Sequence, residues 1–205
     1  MIRIACTNDT WGDTMPLTRG WLRNAIQGKR MANIIYQIRN GYPIKKKELP
    51  AVCWQAGDYE GNKRTDGNAH LNGLFALDID HVPGAIVCGA PHLYRQEPDA
   101  VEELAKEFVR RADELDIVCV HRSPSGDGLH VVALCQPEFQ TIAQNQRWLA
   151  QALETPYDEK CCDMARMMYL SVENDFYYLD EETLFGMEEN ASEEAGKENI
   201  RDEKD

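Results

Sequence analysis

Between Thr18 and Arg39 the apolar residues Trp21, Leu22, Ala25, Ile26, Met31, Ile34, Ile35 and Ile38 fall mostly three or four apart. That spacing paints one face of a helix, and Gly41 and Pro43 end it. A second helical stripe, Val101, Leu104, Ala105, Phe108, Ala112 and Leu115, lies in Pro98–Leu115, with Asp99 placed as its N-cap. A third helix is predicted over Thr141–Leu153. Short continuous apolar runs bounded by turn residues read as buried strands. They are the N-terminal Met1–Cys6, then Ala51–Ala56, Leu74–Ile79, Ile117–His121, Val131–Leu134 and Met167–Val172. Residues 123–134 read as a tight turn entering a strand, hence a hairpin. Asp58–His70 is polar, has no helical period and reads as a loop ordered by a ligand or mobile. Pro83–Pro98 is irregular, with a short strand expected at Ala85–Cys88. The order predicts an α+β fold, a mixed β-sheet covered by helices.

The length of 205 residues suits one domain of two lobes, and 43% hydrophobic residues suffice for a core. No apolar stretch reaches the length of a membrane span, so no membrane partner is expected. The first residues read as a strand rather than an export signal, which places the chain in the cytoplasm with its seven cysteines as thiols. No C-x₂-C spacing points to zinc. The net charge is −13, but it is unevenly spread. Residues 1–50 carry nine Lys/Arg against Asp9, Asp13 and Glu48, whereas residues 181–205 carry ten acids against Lys197, Arg201 and Lys204. The expected division is a basic N-terminal lobe over 1–70, a second lobe over 71–185, and an acidic disordered tail over 186–205. Lys45, Lys46 and Lys47 are either a DNA-facing basic cluster or a solvated loop.

Chemistry enters at Asp78-Ile79-Asp80. On a strand, residues i and i+2 share a face, so two carboxylates project side by side at the end of an apolar run. Their mutual repulsion falls if a hard cation such as Mg²⁺ or Mn²⁺ joins them; the plain alternative is a strand end facing water. A second segment, Ser123-Pro124-Ser125-Gly126-Asp127-Gly128-Leu129-His130, combines hydroxyls, glycines and an imidazole, as a phosphate-binding turn does. Its alternative is a tight hairpin turn with a half-buried histidine. A third cluster holds Asp158, Asp163 and Arg166 ahead of Met167–Ser171; taken alone it is a loop with solvated charges.

Together with Lys47-Glu48-Leu49-Pro50-Ala51, these segments resemble the archaeo-eukaryotic primase superfamily, and within it the VirE N-terminal type of primase-polymerase domain found in mobile-element replication proteins. The resemblance spans about residues 45–175. It implies an RRM-like lobe over 71–185 and nucleotidyl transfer, with Asp78, Asp80 and Asp158 (Asp163 as alternate) holding two Mg²⁺ or Mn²⁺ ions. It further implies that Ser123, Ser125, Gly126, Gly128, His130 and Arg166 contact a nucleoside triphosphate, on a single-stranded or primed DNA template. Such domains usually precede a helicase-like region, so a helicase is an implied partner; here the sequence ends at Asp205 after its acidic tail. Two other functions stay open: a catalytically weak single-stranded DNA or replisome binding module, and a metal-dependent nuclease.

Overall fold

The computed structural model describes residues 2–9, 13–42, 46–87 and 99–186. The strands are β1 (Ala5–Thr7), β2 (Met15–Pro16), β3 (Ala51–Cys53), β4 (Ala56–Tyr59), β5 (Ala69–Leu71), β6 (Leu74–Ile79), β7 (Ile117–Arg122), β8 (Leu129–Leu134), β9 (Met168–Tyr169) and β10 (Phe176–Leu179). The helices are α1 (Arg19–Gln27), α2 (Lys29–Arg39), α3 (Ala100–Arg110), α4 (Ile142–Ala152) and α5 (Glu181–Phe185). The fold is α+β. Its sheets run β10-β7-β8-β6, β2-β1-β3-β9 and β4-β5, and every described pairing is antiparallel rather than mixed.

The β10-β7-β8-β6 sheet is buried on both faces because its strands alternate two sets of apolar residues. Phe75, Leu77, Ile79, Leu129, Val131 and Ala133 pack against Val101, Ala105 and Phe108 of α3 and Leu149 of α4. Leu74, Ala76, Val118 and Val132 pack the other way, onto Ile26, Ile34 and Ile35 of α1 and α2, and onto Trp54. That second core joins residues 4–54 to Met168, Leu170, Leu184 and Phe185, and β9 completes the sheet of β1 and β3. The N-terminal part is thus built with the last strands of the chain.

The helix expected over Thr18–Arg39 is two. Gly28 takes extended dihedrals (φ −67°, ψ 136°) between α1 and α2. The five-residue step from Ile26 to Met31 would rotate the apolar stripe off the core, and a break resets it. Asp99 caps α3 as its position predicts, accepting from the Val101 N–H at 3.1 Å, and Thr141 caps α4 in a capping box with Gln144. The Asp58–His70 loop instead contributes to a small hairpin, β4–β5, anchored by buried Ala56 and Tyr59. β10 and α5 lie where no element was predicted; the aromatic run Phe176-Tyr177-Tyr178 carried a strand signal. Residues 85–87 form no strand. Cys88, Lys45 and the tail beyond Gly186 lie outside the described residues, while the six described cysteines are free thiols.

Candidate functional site

The strand register assembles the site. Asp78 on β6 sits opposite His130 on β8, His130 opposite His121 on β7, and His121 opposite Phe176 on β10. These four side chains form one row across the sheet, on the face shared with Leu74 and Ala76. His130 Nε2 lies 3.4 Å from Asp78 Oδ1. His130 meets His121 edge to face with ring centroids 4.7 Å apart, and His121 stacks on Phe176 at 4.7 Å. Both histidines are buried, and burial pushes His121 down to about 3 and His130 to about 4, helped at His130 by the Lys46 charge. Both rings are therefore neutral at pH 7. His121 Nδ1 lies 3.1 Å from the Arg122 carbonyl, the partner for its proton.

The row opens into a cleft of about 220 Å³ whose walls include Asp78, Asp80, Ser123, Ser125, His130, Arg166 and Lys46. Segments as distant as Lys46, Asp78, Ser125 and Arg166 thus share one hollow, which accounts for most of the residues singled out in the sequence. Asp80 also borders a second hollow of about 510 Å³, where Glu103, Glu107 and Glu154 join Leu104 and Pro156. Burial raises the Asp78 carboxyl, Asp158 adds to that, and a hydrogen bond from the Cys161 thiol opposes it. Burial and the Asp78 charge raise Asp80 in the same way.

Asp158 stands behind Asp78. Its N–H donates to the Asp78 carbonyl at 2.9 Å, and the buried Cys161 thiol bridges the two carboxylates, 3.4 Å from Asp78 Oδ2 and 3.3 Å from Asp158 Oδ2. The Lys160 N–H donates to Asp158 Oδ1 at 3.0 Å and holds that carboxyl below its usual range. Asp163 instead pairs with Arg166 at 3.0 Å. Among the described residues no group of three His, Cys, Asp or Glu side chains is arranged to cage a cation. Three buried polar atoms of the row nonetheless lack a hydrogen-bond partner: Asp78 Oδ1, His130 Nδ1 and His121 Nε2. A bare buried carboxylate oxygen is costly unless a cation or donor meets it.

The Ser123–Gly128 turn is rigid, and much of its backbone is spent internally. The Ser123 N–H donates to the Gly128 carbonyl at 2.9 Å, the Gly126 N–H to the Ser123 carbonyl at 2.9 Å, and the Gly128 N–H to Ser123 Oγ at 3.2 Å. Ser123 and Ser125 hydroxyls share a hydrogen bond at 3.1 Å. Gly126 takes φ +87°, whereas Gly128 serves close strand approach: a Cβ there would lie 2.3 Å from the Ile79 carbonyl oxygen. Two buried ion pairs clamp the turn. Arg39, paired with Asp175 at 2.7 Å, donates to the Pro124 and Ser123 carbonyls. Arg122, paired with Asp99, donates to the Gly126 carbonyl at 2.6 Å. Because each peptide is planar, the N–H groups of Ser125 and Asp127 point away from the arginine that holds the preceding carbonyl.

Arg39, His121, Arg122 and Cys161 escape the sequence reading. The 123–134 hairpin would have aligned His121 with His130, so that residue had a signal; the partners of Arg39 and Arg122 are remote in sequence and had none. Of the basic cluster, Lys46 lines the cleft, Lys47 is half-buried and Lys45 lies outside the described residues. No described helix is long and apolar enough to cross a membrane.

No curated protein and no solved structure matches the chain. Residues 44–178 match the family described as BT4734-like, N-terminal domain. That match overturns the resemblance to the archaeo-eukaryotic primase superfamily and its VirE N-terminal type, for it is a different family and no primase family matches. The motifs behind the resemblance are short and physically generic: paired strand carboxylates, a glycine turn and an acidic loop arise in many folds. With more than half of its length matched, the chain belongs to the BT4734-like, N-terminal domain family.

Proposed function

We propose that the cleft binds a nucleoside triphosphate and performs metal-dependent nucleotidyl transfer, joining (d)NTPs to a primer or an initiating nucleotide on a DNA template. One observation carries the reading: Asp78 and Asp80 share a single cleft with Lys46, Arg166 and the Ser123 and Ser125 hydroxyls. Carboxylates for a cation and cations for phosphates thus line one hollow. The donor set fits Mg²⁺ or Mn²⁺, which commonly take one or two carboxylates and complete their shell with water and substrate phosphates. Asp78 and Asp80 would hold it, with Asp158 reinforcing Asp78 from behind. When bound, such a cation lowers the pKa of an attacking hydroxyl and stabilises charge on the leaving pyrophosphate.

Lys46 and Arg166 take the triphosphate oxygens, Arg166 in a bidentate grip if it leaves Asp163. Neutral His130 donates a single proton, toward Asp78 Oδ1 or a phosphate oxygen, without adding charge. A hollow of about 220 Å³ suits a triphosphate better than a whole nucleotide, so the base lies at its mouth. The second, acid-lined hollow repels phosphate. With β9 set aside in the other sheet, the succession β6-α3-β7-β8-α4-β10 supports an RRM-like lobe, although β10 lies beside β7 rather than β6.

A second reading, a catalytically weak binding module, draws on Asp158, whose two carboxylate oxygens are engaged by Lys160 and Cys161. The test is extension of a labelled primer on a DNA template with Mn²⁺ and dNTPs. Product is expected, and Asp78→Ala should lower its rate on the order of 100-fold or more. Triphosphate binding without product, unaltered by Asp78→Ala, would sink the catalytic reading and leave the binding module.

A further inference from the structure

Two exposed cations open α2, the helix whose last turn reaches the turn beside the cleft. From Thr14 to Lys47 the chain carries eight Lys/Arg and no Asp or Glu, within a protein of net charge −13. Not all of these cations are available. Arg19 and Arg23 on α1 pair with Glu181, and Arg39 turns inward onto Asp175. Lys29 and Arg30, at the start of α2, are exposed. Helical spacing sets Lys29, Asn33, Tyr36 and Asn40 on one exposed stripe. Tyr36 is 49% and Tyr42 56% exposed, two of the few large hydrophobic side chains left in water among the described residues. Glu173 accepts from Gln27 at the end of α1, and exposed Glu48 follows Lys47.

The last turn of α2 reaches the turn that borders the cleft. Arg39, in the last turn of α2, holds the Ser123 and Pro124 carbonyls, and Lys46, four residues past Tyr42, forms part of the cleft wall. We propose that the outer face of α2 and the turn after it, from Lys29 and Arg30 through Tyr36 to Tyr42, are a track for single-stranded nucleic acid feeding that cleft. The proposal rests on the nucleotidyl-transfer reading of the cleft. Cations attract the phosphates, and exposed tyrosine rings stack on bases whatever their identity. A duplex keeps its base faces covered, so the track favours single strands.

The test uses the full chain and labelled oligo(dT) and oligo(U) of about 20 nucleotides, followed by anisotropy. Binding to at least one is expected, the tighter arm naming the natural strand. The Tyr36→Ala, Tyr42→Ala double variant should bind about 10- to 100-fold more weakly with its salt slope kept, while the double Phe variant should bind like the parent. Lys29→Gln with Arg30→Gln should flatten the salt slope by roughly one to two. Undiminished affinity in the folded Tyr→Ala variant, or no binding to either oligonucleotide, overturns the track. Normal oligonucleotide binding without primer extension would instead sink the catalytic reading and leave the track standing.

Discussion

Gly126 and Gly128 lie two residues apart and serve different ends. Gly126 needs its hydrogen because φ is +87°, and an added Cβ would come within 2.9 Å of Arg39 Nε, which the Asp175 pair holds in place. Gly126→Ala should cost at least about 1–2 kcal/mol, the left-handed backbone penalty, with the displacement of Arg39 added to it. At Gly128 the obstacle is backbone: a Cβ would sit 2.3 Å from the Ile79 carbonyl oxygen. Gly128→Ala must push β8 from β6 beside Asp78, and a loss of about 3 kcal/mol or more is expected. Urea titrations of both variants check the order; equal losses would show that β6 and β8 are not held as tightly as their register indicates. The glycines were visible in the sequence, but the division of labour was not, since only the folded chain brings Ile79 against the turn.

At the scale of elements, the β7–β8 turn is held by helices that never cover it. α2 sends Arg39 to its carbonyls, and α3 does so indirectly, because its capping residue Asp99 also pairs with Arg122. Breaking a buried pair strands the remaining charge, which costs more than the pair contributes. Arg39 and Asp175 are almost wholly buried, at 9% and 1% side-chain exposure. Arg39→Met should therefore cost roughly 3–5 kcal/mol, and adding Asp175→Asn should recover part of it. A thermal melt series measures both; no recovery would place the loss in the released Ser123 and Pro124 carbonyls instead. None of these pairings can be read along the chain. Helical and strand periods report which residues face inward, not which buried arginine meets which aspartate.

Across the whole molecule, charge is segregated between a basic N-terminal quarter and an acidic C-terminal end. The acids beyond Gly186 repel the strand that α2 would attract. A chain ending at Gly186 should bind oligo(dT) severalfold more tightly at low salt, the gap closing as salt screens it. The cut must spare Leu184 and Phe185, which are 0% and 7% exposed within the core. Its melting temperature should stay that of the full chain, and a clear fall would show that residues 187–205 pack on the domain.

The sequence by itself determined the α+β class, the cap at Asp99, the helix from Thr141, the strand that presents Asp78 and the hairpin that carries His130. Each follows from local periodicity or turn chemistry within a dozen or so neighbours. Short motifs, even in a familiar order, did not determine the family, because paired carboxylates and glycine turns recur in unrelated folds. Tertiary structure alone decided that α1 and α2 part at Gly28 and that β9 joins the N-terminal sheet. It likewise decided that Asp158 rather than Asp163 stands behind Asp78, and that Arg39 and Arg122 grip one turn. Such pairings join residues far apart along the chain, and they are settled by which buried polar groups can be satisfied together, a condition that no local pattern contains.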